Sequence, residues 1–139
     1  MSRPRYPLDL SLYLVTSSDL LPSNTTLVKH VEAAIKGGVS IVQLREKNLD
    51  TGPFVRLAKE VHAVTKKYRV PLLINDRIDV ALAVGCEGVH VGQSDLGENG
   101  VSEWYQSESF ADEIIIRLCH CSYPPWALCI HRHFSNKCN

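Results

Sequence analysis

Four short apolar runs, separated by segments of helical period, constrain this chain more than any other feature. The runs are Leu10 to Val15, Ser40 to Arg45, Leu72 to Asn75 and Gly88 to Gly92. After the first, Ser23-Asn24-Thr25-Thr26 offers N-cap side chains, and Leu27, Val31, Ala34 and Ile35 recur at the spacing of one helix face. Gly37-Gly38 ends that helix, because glycine accepts the left-handed geometry of a C-cap. Thr51-Gly52-Pro53 opens a second helix, carried by Phe54, Leu57, Ala58, Val61, Val64 and Thr65 and stopping before Val70-Pro71. Asp76 reads as the cap of a short third helix, Arg77 to Val84, closed by Gly85.

The order β-α-β-α-β-α-β with short links predicts parallel strands, since each helix carries the chain back across the sheet. Strands rich in Val, Ile and Leu, without clean polar alternation, fit a sheet covered by helices. The fold class is therefore α/β. Periodicity alone does not separate a barrel from an open doubly wound sheet.

The regularity fails after Asp95. Leu96 to Ser109 is polar and contains glycine, Ala111 to Leu118 suits either a strand or one helical turn, and the remainder fits neither period. Four of the five cysteines (Cys119, Cys121, Cys129, Cys138) and both tryptophans, Trp104 and Trp126, fall in this late part. The reading divides the chain at residue 96: an α/β segment over 1–96 and a divergent tail over 97–139.

A chain of 139 residues suits one domain. Its formal net charge of +0 gives no long-range field for nucleic acid or anionic membrane. No apolar run approaches the roughly 20 residues of a spanning helix, and Met1 to Pro7 has no signal-type apolar core behind it. The cytosol is the expected location.

Chemistry concentrates at the strand ends. Alternate strand residues share a face, so Gln43, Arg45 and Lys47 are expected on one side at intervals of roughly 6–7 Å, with Leu44 and Glu46 on the other. In parallel α/β folds the C-terminal ends of strands form the binding face. A guanidinium fork and an ammonium there suit phosphate oxygens. Asn75-Asp76 closes the third run and Gln93-Ser94-Asp95 follows the fourth. Two carboxylates beside cations suggest Mg2+, which favours a few carboxylates plus substrate phosphate oxygens.

Each residue also has a plainer explanation. Arg45 and Lys47 read singly as solvated loop residues, Asp76 as an N-cap and Asp95 as a turn residue. Arg77 and Asp79 read as helix surface or a local ion pair, His90 as a hydrogen-bonded core histidine, and Cys86 as a small packed residue. The functional reading rests on coincidence: three successive strands carry polar groups at the same end.

These segments, taken in order, resemble a known family. Tyr13-Leu14-Val15-Thr16, Ala33 to Val39, Gln43-Leu44-Arg45-Glu46-Lys47, Leu73-Ile74-Asn75-Asp76-Arg77 and Gly88 to Asp95 are similar to thiamine-phosphate synthases, particularly the form in fungal bifunctional thiamine enzymes. The resemblance covers about residues 10–96. It implies a (β/α)8 barrel, of which about the first four β/α units are present. It implies a transferase joining aminomethylpyrimidine diphosphate to hydroxyethylthiazole phosphate with release of diphosphate. It assigns Gln43, Leu44, Arg45, Glu46, Lys47 and Asn75 to the pyrimidine diphosphate, and Asp76 and Asp95 to Mg2+. It assigns no catalytic residue here. The related TenI-like thiazole tautomerases share the fold; Arg45, Lys47, Asp76 and Asp95 together favour the synthase. Expected partners are small-molecule substrates, with no nucleic acid and no membrane, and an oligomer of identical chains is allowed.

The family's later motifs are a serine segment, a Thr-rich loop with lysine and a glycine-rich phosphate loop. Residues 97–139 carry none of them. The expectation is a truncated chain that does not complete the reaction alone, so a non-catalytic isoform or a diphosphate-binding fragment is the alternative. The tail offers a rival in Cys119, His120, Cys121, Cys129, His131, His133 and Cys138, all zinc-ligand types. Their C-x-C and H-x-H gaps are unlike the usual C-x2–4-C and H-x3–5-H spacings.

Overall fold

The computed structural model describes residues 9–92 and, as backbone, two later strands. The strands are β1 (Tyr13–Val15), β2 (Ile41–Leu44), β3 (Leu72–Asn75), β4 (Gly88–Val91), β5 (Ile114–Arg117) and β6 (Cys129–Arg132). The helices are α1 (Leu27–Lys36), α2 (Thr51–Lys67) and α3 (Ile78–Val84), with a 3-10 turn at Ser18–Leu20. β1 to β4 and the three helices lie within the segments that the apolar periods mark, whereas the 3-10 turn and β6 have no such signal. Of the two readings open for residues 111–118, the strand is observed.

The sheet order is β1-β2-β3-β4-β5-β6, parallel up to β5 and antiparallel between β5 and β6. A doubly wound sheet reverses its strand order at a switch point and places helices on both faces. Neither happens among the described residues. Val42, Leu44, Leu72, Ile74, Val89 and Val91 form one cluster with Val31 of α1, Phe54, Ala58 and Val61 of α2, and Val80 of α3. All these strand residues share one parity in the register Leu44↔Ile74 and Ile74↔Val89. The helices therefore cover one face, and sequential winding with one-sided helices is the barrel pattern. This resolves the alternative that periodicity left open.

The ends of the helices show local causes. The Thr26 hydroxyl accepts from the Lys29 N–H over 3.3 Å and caps α1. At its other end Gly37 is right-handed (φ −79), and Gly38 is the residue at φ +109. Of the two glycines that end this helix, the conformational demand falls on Gly38. Gly85 (φ 69, ψ 38) closes α3 in the left-handed region. Asp76 is not the N-cap of α3. Arg77 holds that position, and Asp76 precedes it at φ 61.

Buried His62 and half-buried Glu87 tie α2 to the start of β3. His62 Nε2 lies 3.1 Å from Glu87 Oε1, and Glu87 Oε2 accepts the Leu72 N–H at 2.9 Å. Cys86 is 1% exposed, packed near the Ala81 and Gly88 carbonyls. Among the described residues no helix is long and apolar enough to cross a membrane.

Candidate functional site

The sheet face away from the helices carries a different chemistry. Its register rows, Val15↔Gln43↔Leu73 and Asn75↔His90, bring polar side chains onto a surface where the opposite parity is wholly apolar. An open cavity of about 350 Å3 lies there, lined by Leu10, Tyr13, Val15, Gln43, Arg45, Asn75 and His90. It reaches the C-terminal ends of β2 and β3, where Arg45 follows Leu44 and Asn75 is the last strand residue.

Three of the residues predicted from the sequence meet in this cavity: Gln43, Arg45 and Asn75. Gln43 is 4% exposed, and its Nε2 donates to the Tyr13 hydroxyl over 2.7 Å. The Thr16 N–H donates to the Gln43 carbonyl at 2.9 Å, and the Thr16 hydroxyl accepts the Arg45 N–H at 3.1 Å. Buried Thr16 thus stitches the ends of β1 and β2 together and fixes the backbone from which Arg45 projects.

The other predicted residues divide. Leu44 is fully buried in the helix-side core, so only its main chain can serve a ligand. Glu46 accepts a hydrogen bond from the Ser18 hydroxyl on the 3-10 turn. Lys47 is exposed and does not line the cavity, because β2 ends at Leu44 and strand alternation ends with it. Asp76 is exposed beside the cavity, and its Oδ2 accepts from Asn75 Nδ2 over 2.7 Å. Asp95, with Gln93 and Ser94, lies outside the described residues, as do the side chains of the candidate zinc ligands in the tail.

The backbone at Asp76 is bound on both sides. The Arg77 N–H donates to the Asn75 carbonyl at 2.7 Å, closing a three-residue turn centred on Asp76 at φ 61. That turn type is rare and strained for a non-glycine residue. The Asp76 N–H donates to the His90 carbonyl at 2.8 Å, which pins the turn to β4. Strain of this kind persists where the surroundings over-determine it, commonly at binding sites. Arg77 itself forks onto Asp79, Nε to Oδ1 at 2.9 Å and Nη2 to Oδ2 at 2.7 Å, and also donates to Thr51 Oγ1 at 2.6 Å. This is the local ion pair expected from the sequence; it holds the Asp79 carboxyl below its ordinary value and raises Arg77.

Tyr13 and His90 were not among the predicted site residues. Tyr13 begins β1 and shares parity with Val15, the register partner of Gln43, so the alternation that singled out Gln43 also reaches Tyr13 once the register is known. Burial pushes its phenol above 10.0, opposed by the hydrogen bond from Gln43. His90 is hydrogen-bonded as expected, Nδ1 to Asn75 Oδ1 at 3.3 Å, but it lines the cavity rather than the core.

Among the described residues no group of three or more His, Cys, Asp or Glu is placed to hold a metal ion. Asp76, next in sequence to cavity-lining Asn75, carries a carboxylate of the hard-oxygen type near Arg45's cavity. That fits part of a magnesium site, whose remaining ligands come largely from phosphate oxygens and water.

A family model described as thiamine monophosphate synthase matches residues 12–110. The thiamine biosynthetic bifunctional enzyme of Saccharomyces cerevisiae is 59% identical over 88 residues, which is 63% of this chain and 16% of that protein. The thiamine-phosphate synthase of Clostridium tetani is 52% identical over 92 residues, 66% of this chain and 44% of that one. The solved structure of thiamine phosphate pyrophosphorylase from Pyrococcus furiosus superposes with a TM-score of 0.62 at 32% identity, covering 75% of this chain and 47% of that one. The chain spans less than half the length of each of these relatives.

Proposed function

Because the chain belongs to the thiamine monophosphate synthase family, we propose that it acts in thiamine biosynthesis on an aminomethylpyrimidine diphosphate, in a reaction with hydroxyethylthiazole phosphate. The observation that supports this most is the meeting of Gln43, Arg45 and Asn75, from the C-terminal ends of the adjacent strands β2 and β3, in one cavity. In the reaction the methylene carbon of the pyrimidine loses diphosphate with its bonding electrons, and the thiazole nitrogen supplies the pair for the new C–N bond. Arg45 takes the diphosphate oxygens with its planar donor fork and stabilises the charge they gain as that bond breaks. Lys47, exposed just beyond, adds a second cation of the kind phosphate attracts. Glu46 holds the loop after β2 against Ser18, and Leu44 anchors the strand beneath it. Gln43 and Asn75, both more than nine-tenths buried, present amides to the ring.

Asp76 and Asp95 are the residues that would hold Mg2+, and the ion when bound would neutralise part of the diphosphate charge. The neutral net charge favours small-molecule partners over nucleic acid or membrane. Titration calorimetry with inorganic diphosphate, with and without Mg2+, tests the reading. Saturable binding that Arg45→Gln weakens supports it; no binding by a folded sample overturns it.

A further inference from the structure

Depth orders the side chains on the β1–β2 side of the cavity. Arg45 follows the last residue of β2, at the C-terminal end of the strands. Gln43 shares a register row with Val15, one two-residue step of roughly 6–7 Å further in. Tyr13 shares the next row with Ile41, another such step deeper. Its ring reaches back toward the row above, where its hydroxyl accepts from Gln43 Nε2 over 2.7 Å. A diphosphate held by Arg45 therefore lies outside this pair. Only a group carried inward on that diphosphate meets Gln43 and Tyr13.

The last torsion of a glutamine side chain is soft, so an amide without a partner rolls between presenting its N–H groups and its oxygen. Among the described residues, Tyr13 supplies the only side chain to which the Gln43 amide is bonded. With Nε2 tied to Tyr13, Oε1 is the end left for a further partner, and a buried acceptor seldom stays unpaired. Gln43 is 4% exposed and lines the cavity, so that partner comes from within it.

We propose that Tyr13 is a positioning residue that fixes the roll of the Gln43 amide and so sets the cavity's preference for the ring of a ligand over its diphosphate. Tyr13 acts through Gln43, because its hydroxyl is engaged by the amide. The tie stands on geometry alone; its use in selecting an amino-substituted ring rests on the function proposed above.

Titration calorimetry of the full chain with aminomethylpyrimidine diphosphate and, separately, with inorganic diphosphate gives the preference as a ratio of two affinities. Tyr13→Phe is expected to lower that ratio by about fivefold or more, the scale of one hydrogen bond. The affinity for inorganic diphosphate, which Arg45 holds, should move far less. Gln43→Met removes the amide at similar volume, and in that background Tyr13→Phe should change the ratio no further. A structural role alone would weaken both ligands together. An unchanged ratio in folded Tyr13→Phe protein, or a loss of the same size with and without the Gln43 amide, would overturn the proposal. NMR of the ligand-free chain reads the tie directly. The Gln43 side-chain N–H signals, identified by their loss in Gln43→Met, should exchange with solvent faster in Tyr13→Phe than in the parent. Equal exchange in both would also overturn it. A folded parent that binds neither diphosphate defeats the proposed function, and the amide signals still decide whether Tyr13 positions Gln43.

Discussion

Gln43 Nε2 donates to the Tyr13 hydroxyl across 2.7 Å, joining the third residue of β2 to the first residue of β1 on the face away from the helices. Gln43 is 4% exposed, so its amide has little access to water as a substitute partner. The bond therefore serves both the sheet and the cavity, because it sets how the amide meets a ligand.

Tyr13→Phe leaves that amide without its partner. A buried group stripped of its hydrogen bond loses about 1–3 kcal/mol, read as a lower urea midpoint with an unchanged slope. Burial raises the Tyr13 phenol, so the folded state holds this proton more tightly than the unfolded chain. The associated stability is present below 10.0 and lost as pH rises through the higher folded value. The parent should weaken above about pH 10 more steeply than the variant. Equal alkaline profiles would count against a buried phenol.

Leu44→Ala separates core from site. Leu44 is fully buried in the helix-side cluster, and truncating such a leucine removes about 2–5 kcal/mol. Unfolding should show that loss. A change within about 0.5 kcal/mol, the range of ordinary surface substitutions, would mean that Leu44 is not in the core.

Asp79→Asn removes the carboxylate that holds the Arg77 fork. The pair lowers the Asp79 carboxyl, so its stabilisation is present above 3.8 and lost as pH falls through the depressed folded value. The Asp79 side chain is 56% exposed, so the loss at neutral pH should stay below about 1 kcal/mol. Thermal unfolding at neutral and strongly acidic pH checks this: the gap between parent and variant should close in acid.

Much of the fold was legible because apolar period, caps and glycines act locally. Val31, Phe54, Val61 and Val80 announce their helix faces, and Leu72 to Asn75 announces its strand. Strand order was not legible, because neighbours across a sheet are set by packing between distant segments. The site was half legible for the same reason. Gln43, Arg45 and Asn75 carry polar chemistry at strand ends, whereas Tyr13 and His90 gain meaning only from the register. Lys47 was misplaced because alternation was carried past Leu44, the last residue that pairs with β3. The cap assigned to Asp76 failed because its backbone enters the left-handed region, a choice made by contacts with Asn75 and His90 rather than by residue type.

The central claim is that one cavity holds a pyrimidine diphosphate through Arg45, with a cation beside Asp76. Titration calorimetry of the chain with aminomethylpyrimidine diphosphate, with and without Mg2+, tests it most directly. The account predicts saturable binding that Mg2+ strengthens, that exceeds the affinity for inorganic diphosphate, and that Arg45→Gln weakens by about tenfold or more, the scale of a lost charge-assisted hydrogen bond. Binding by folded protein that is absent, or indifferent to both Mg2+ and Arg45, would contradict it.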